Sequence, residues 1–308
     1  MYVFKEAFWG YGFDPVKFFD FEKFSSEAED YVLAIGFINL KFLNKVKDKN
    51  VIMMMMEEPN GFFGSPELFL VHDYLNIVKK IFTICPYSAE WSNKTFPGNK
   101  WEFAFYPFNA DNIPTEKEKV FDFIYTGQQL EELKEVKMAA SHFKACWVSF
   151  NPGQNITHAN VSYEEKLNLC SLSKIAVVHN LLFPGTYSDN YRKSNLLNKY
   201  RNHEALSQIT DTSYVNPLVP QVKSRMMEAA FCKSLILCRK DPWNLIERFF
   251  EPEKEFIYYE NGKLYETIQE ILKNYDKYVP IINAAYDRAV NNYTTRHYFN
   301  KYLKDLFR

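Results

Sequence analysis

Two patterns of apolar and polar positions take turns along this chain. Mostly apolar runs of strand length stand at 51–56, 81–85, 121–126, 145–150, 174–180 and 234–238, and the one at 51–56 is apolar throughout, as expected of a strand covered on both faces of a parallel sheet. Between them, apolar residues recur at spacings of three and four over 39–46, 66–80, 128–143, 162–171, 220–231, 264–272 and 275–290, which predicts helices. Further strands are expected at 2–8, 31–37 and 101–108, a short helix or turn at 18–24, and a turn followed by a strand over 249–259. Strands alternating with helices of this length imply doubly wound α/β architecture with right-handed crossovers. The pattern restarts after 109–119, where Pro114 and mixed charges mark a linker.

The first turn of several elements carries candidate chemistry. In open α/β sheets ligands gather beyond the carboxyl ends of strands. Glu57 and Glu58 follow the run at 51–56 there, either as a base for an acceptor hydroxyl or as a solvated strand-end pair. Thr126 and Gly127 end the run at 121–126, and a glycine at that point lets backbone approach a ligand closely. Ser162-Tyr163-Glu164-Glu165 reads as a capping box. His179 and Asn180 end the next strand.

In the helix over 220–231, Val222, Met226, Ala229 and Ala230 line one apolar face, with Lys223, Arg225 and Glu228 on the first two turns. Unpaired N–H groups and the macrodipole at a helix start favour an anion, and two cations beside it suit a diphosphate.

Composition narrows the classes. The 308 residues are enough for two domains with their own cores. With Lys and Arg at 37 against 38 for Asp and Glu, the charge balance offers nothing to a nucleic-acid partner. Five cysteines without a C-x-x-C spacing read as reduced, mostly buried thiols of a cytoplasmic protein. No apolar run reaches the length of a membrane span, though peripheral membrane contact stays open. The scattered histidines and the lack of an Asp-x-Asp pair point to no metal and no other cofactor. The motifs of serine hydrolases, P-loop kinases and dinucleotide-binding proteins are absent. The polar stretch over 181–214, rich in Arg and Lys, reads as a solvated face, with a lid or an oligomer contact as the alternatives.

The stretch from Pro220 to Leu237, Pro-Gln-Val-Lys-Ser-Arg-Met-Met-Glu-Ala-Ala-Phe-Cys-Lys-Ser-Leu-Ile-Leu, followed from Phe250 by Phe-Glu-Pro-Glu-Lys-Glu-Phe-Ile-Tyr-Tyr, resembles the donor-binding region of group 1 glycosyltransferases. The branch related to spore-maturation glycosyltransferases is the most similar. The resemblance implies the GT-B fold: two Rossmann-like domains facing a cleft, at 1–115 and 116–292, with 293–308 packing back on the first.

It further implies transfer of a hexosyl or related sugar from a nucleotide-sugar donor, without metal, to a glycan, a lipid-linked or small hydroxyl acceptor. Glu228 would hold the ribose and Arg225 or Lys223 the diphosphate. Thr126 and Gly127 would border the phosphates, and Ser162 and Tyr163 the base. His179 and Asn180 would touch the donor or its sugar, with Gln221 also on the donor side. Two positions depart from the family pattern: Pro220 stands where many retaining members carry a second glutamate, and Lys233 where the family prefers glycine. Stereochemistry, donor base, acceptor and oligomeric state stay open, as does a non-catalytic nucleotide- or glycan-binding protein on the same fold.

Overall fold

The computed structural model describes residues 2–4, 17–19, 31–35, 48, 50–55, 78–95, 98, 100–127, 133–182 and 219–307. The chain packs into two compact units: Met1–Tyr106 with Leu181–Gln221 and Tyr298–Arg308, and Pro107–Asn180 with Val222–His297.

The first unit holds β1 (Tyr2–Phe4), β2 (Lys17–Phe19), β3 (Tyr31–Ile35), β4 (Asn50–Met55), β5 (Val78–Thr83), helix α1 (Pro86–Thr95) and β6 (Trp101–Phe103). The strands form one parallel sheet in the order β2-β1-β3-β4-β5-β6. Val51, Ile52, Met53 and Met54 are all buried, which is why the methionine run shows no alternation.

Three expectations change here. Lys17–Phe19 is a strand, added beside β1 at the sheet edge, where a helix or turn was expected. The helix expected over 66–80 does not reach its end, because Val78, Lys79 and Lys80 begin β5. Lys80 reaches Glu102, on the adjacent β6, at 2.8 Å, so a polar pair that reads as helix surface serves the sheet instead. The aromatic strand expected over 101–108 stops at Phe103. At the chain's end, Tyr298 packs its ring 6.0 Å from Phe82 and 5.4 Å from Phe105, and Tyr302 joins the same cluster.

The second unit contains β7 (Phe121–Thr126), α2 (Lys134–Ala140), β8 (Ala145–Ser149), β9 (His158–Ala159), α3 (Tyr163–Ser171) and β10 (Ser173–Val178). The chain then enters β11 (Leu181–Leu182) and β12 (Val219–Pro220), which pair antiparallel within the first unit. It returns for α4 (Ser224–Phe231), β13 (Leu235–Arg239), β14 (Ile257–Tyr259), α5 (Leu264–Lys273) and α6 (Val279–Asn292), before the short α7 (Thr295–Tyr298).

The sheet order is β14-β13-β10-β7-β8-β9, all parallel. This is the doubly wound Rossmann order, and its direction of growth reverses between β7 and β10. Alternate side chains sort to the two faces. Phe123, Tyr125, Trp147, Ile175, Val177, Leu235 and Leu237 pack against Leu133, Val136 and Ala139 of the α2 region and Leu264, Ile268 and Ile271 of α5. Ile124, Cys146, Ala176, Val178, Ile236 and Cys238 are buried on the other face, where α4 packs on β10 and β13 and α3 on β10. Each of the larger apolar side chains contributes about 1.5–3 kcal/mol by leaving water. All five cysteines are buried, and none is joined in a disulfide.

Candidate functional site

In the second unit, the ends of β7 and β8 meet the starts of α3 and α4 around a cavity of about 430 Å³. Thr126 and Gly127 come from the end of β7, and Ser149 and the 75% exposed Phe150 from the end of β8. Asn160, Val161, Ser162, Tyr163 and Lys166 come from the entry and first turn of α3, and Ser224 and Arg225 from the first turn of α4. Ser162 caps α3: its backbone is extended and its hydroxyl accepts the Glu165 N–H at 3.1 Å. Two helix starts therefore present N–H groups to one space, with Lys166 and Arg225 as its cations.

Arg225 is seated by its neighbours. Its guanidinium carbon lies 5.7 Å from the centre of the Tyr125 ring. A Cβ at Gly127 would stand 2.9 Å from Nη2, and Gly127 has φ +153°. The glycine is thus needed for the arginine to lie against the end of β7, a task that its place after a strand does not reveal. Burial pushes the Tyr125 hydroxyl pKa up, opposed by the charge and hydrogen bond of Arg225.

Glu228, in the middle of α4, is 4% exposed and receives a hydrogen bond from Lys166 Nζ at 2.7 Å. The same ammonium lies 4.6 Å from the Tyr163 ring centre. A lone buried carboxylate is costly, and Lys166 compensates it at the cavity wall. The sequence reading passed over Lys166, although it lies one turn beyond the Ser162 cap and so on the side of the helix start; Phe150 was missed as well, having been counted as the last residue of a strand.

Of the other expected site residues, Lys223 is the N-cap of α4, and its backbone N–H donates to Asn180 Oδ1 at 3.2 Å. Asn180 is fully buried, with Nδ2 3.8 Å from Met226 Sδ and from Cys238 Sγ. His179, at 2% exposure, hydrogen-bonds Tyr259. Neither His179 nor Asn180 lines the cavity; both follow the end of β10 and are buried. Gln221 is buried and belongs to the first unit. Glu57 and Glu58 lie outside the described residues. Among the described residues, no three His, Cys, Asp or Glu group as metal ligands would, and no helix is long and apolar enough to cross a membrane.

Lys233, where glycine was noted as the family preference, has φ +50°. It follows the last turn of α4, with its N–H bonded to Ala230 O and the Ser234 N–H to Ala229 O. That is the left-handed helix stop in which glycine is strain-free.

Two parallel α/β units, the second in Rossmann order with a polar cavity at the strand ends, define a GT-B fold. Solved structures share it. HepE of Anabaena in complex with UDP is similar with a TM-score of 0.58 at 9% identity, over 90% of this chain and 78% of HepE. Sucrose-phosphate synthase from Thermosynechococcus elongatus is similar with a TM-score of 0.54 at 10% identity, over 90% of this chain and 74% of the synthase. TarM of S. aureus, in a variant solved with UDP, fondaparinux and alpha-GlcNAc-glycerol, is similar with a TM-score of 0.53 at 11% identity. There 84% of this chain covers 51% of TarM, so the chain spans about half the length of that protein. Residues 158–304, which include α3, α4 and β13, match the family described as glycosyl transferase-like. No curated protein matches the chain.

Proposed function

We propose that this protein is a glycosyltransferase that takes a sugar from a nucleotide-sugar donor bound in the cavity of the second unit. The observation that carries the reading is the convergence of two helix starts, Arg225 and Lys166 on one cavity at the strand ends. A nucleoside diphosphate leaving group gains negative charge as the glycosidic bond breaks. Fixed cations and N–H groups stabilise that charge without having to reorganise. Arg225 and the start of α4 take the diphosphate, and they supply the charge that a metal would otherwise provide. Phe150, Val161 and Tyr163 offer the base apolar and aromatic surface, and Glu228 with Lys166 meets the ribose hydroxyls. The similar HepE and TarM structures contain UDP, which supports a uridine donor. The match over residues 158–304 supports sugar transfer as the reaction.

The acceptor is a hydroxyl of a glycan, a lipid-linked sugar or a small molecule, with Glu57 or Glu58 as its base. The pattern of Arg225, Glu228-Ala229 and the Phe250 to Tyr259 segment supports a kinship with the spore-maturation branch.

The test is calorimetric titration with UDP, GDP, ADP and CDP, with and without divalent cation, followed by an assay of donor hydrolysis and transfer. One nucleoside diphosphate should bind the parent protein in the absence of metal, and Arg225→Ala and Glu228→Ala should each weaken it about tenfold or more. Binding by none of the four refutes the donor site. Binding without hydrolysis or transfer of any matching nucleotide sugar favours the non-catalytic alternative.

A further inference from the structure

Behind Arg225 lies a buried polar chain that donor binding alone does not require. Tyr259, at 2% exposure, hydrogen-bonds His179 Nε2 and donates its hydroxyl proton to Glu135 Oε1 at 3.3 Å. Glu135, in the first turn of α2, also accepts the Gly262 N–H at 2.9 Å, and Arg239 Nη1 lies 3.9 Å from it. A carboxylate only accepts, so the phenolic proton goes to Glu135 and the phenolic oxygen takes the proton of His179 Nε2. That arrangement selects one tautomer and leaves Nδ1 with a lone pair. Nδ1 meets no hydrogen-bond partner among the described residues.

Nδ1 is thus held as an acceptor on the buried side of the site. The His179 ring lies 5.4 Å from the Tyr125 ring, and the Arg225 guanidinium lies 5.7 Å from that same ring. Burial, with Arg239, Arg225 and Lys223 adding to it, holds the His179 pKa well below its ordinary value. A neutral imidazole with a lone pair attracts the surrounding cations, whereas a protonated one would repel Arg225 at short range.

We propose that His179 is a positioning residue: anchored by Tyr259 and Glu135, it backs the Tyr125 ring on which Arg225 is seated and so sets where the guanidinium meets a donor diphosphate. This rests on reading the cavity as a diphosphate site. Gly127 supplies the opposite constraint, since its missing Cβ is the space that the guanidinium fills. The role differs from direct contact with the sugar, because His179 is buried and does not line the cavity.

The experiment is a double-mutant cycle read by ligand binding. The probes are the nucleoside diphosphate that binds the parent protein most tightly, measured by calorimetry, and the corresponding nucleoside, measured by ligand-observed NMR. His179→Phe keeps a buried ring and removes both the anchor and the lone pair. It should weaken the diphosphate about tenfold and leave the nucleoside unchanged, since one charge-assisted contact is misplaced. In an Arg225→Ala background it should cause no further loss, because its effect passes through Arg225.

Equal weakening of nucleoside and diphosphate, or losses that add in the Arg225→Ala background, overturns the proposal while the donor site stands. If no nucleoside diphosphate binds the parent protein, the donor-site reading falls and this one with it. Should His179→Phe fail to fold, Tyr259→Phe removes a single oxygen and carries the same cycle, with the same pattern expected.

Discussion

Replacing Asp241 with asparagine should remove a pH dependence built into the second unit. Asp241 follows β13 and is 3% exposed. Its Oδ1 accepts the Trp243 N–H at 2.9 Å, while Oδ2 has no partner among the described residues. Burial raises the carboxyl pKa from 3.8 to about 6, against the pull of the N–H groups of Trp243, Leu245 and Asn244. The folded state therefore holds the proton more tightly than the unfolded chain does. Stability from this source is fully present below about 3.8 and is lost as pH rises through about 6. A shift of roughly two pKa units corresponds to about 3 kcal/mol in full, between pH well below 3.8 and pH well above 6.

Asp241→Asn is neutral throughout and keeps the oxygen that accepts from Trp243. Its stability relative to the parent protein should rise by about 2.4 kcal/mol between pH 4 and pH 8, whatever constant offset the new amide introduces. Urea unfolding of both proteins at half-unit pH steps measures this directly. Parallel stability curves across the window would refute the reasoning, since they would mean that the carboxyl ionises in the fold as freely as in the open chain.

Gly127→Ala should weaken nucleoside diphosphate binding about tenfold, because the new Cβ displaces the tip of the Arg225 side chain, and should also cost about 1–3 kcal/mol of stability, because a φ of +153° strains any residue with a side chain; calorimetry and a melting curve measure the two effects. Lys233→Gly relieves a left-handed lysine at the loss of a largely exposed ion pair with Glu116, and should stabilise by up to about 1 kcal/mol in denaturant unfolding. Ser162→Ala deletes the cap of α3 and should cost about 1 kcal/mol, whereas Ser162→Asn should recover most of it.

How much of this was legible beforehand differs between the elements and their partners. The runs at 121–126, 145–150 and 174–180 became β7, β8 and β10 within a residue or two, and Ser162 caps its helix as the spacing predicted. These signals are local: a strand buried on both faces is apolar over its buried stretch, as over 123–125 and 175–178, and a capping oxygen reaches only two or three residues ahead. The same locality explains the errors. Lys17–Phe19 is a strand because β1 offers an open edge, and Val78–Lys80 is a strand because β4 pairs with it. Neither cause lies within the segment itself.

The sequence by itself determined that the chain alternates strand and helix twice over, and that a helix bearing Arg225 and Glu228 begins where an anion would be welcome. Only the tertiary structure decided who meets whom. Lys166 and Glu228 form an ion pair 62 positions apart, and His179 bonds Tyr259 80 positions away. Arg225 lies against Gly127, a residue from a different strand end. The physical reason is that periodicity records which face of an element is buried, whereas strand order and crossovers set which buried faces and strand ends come together.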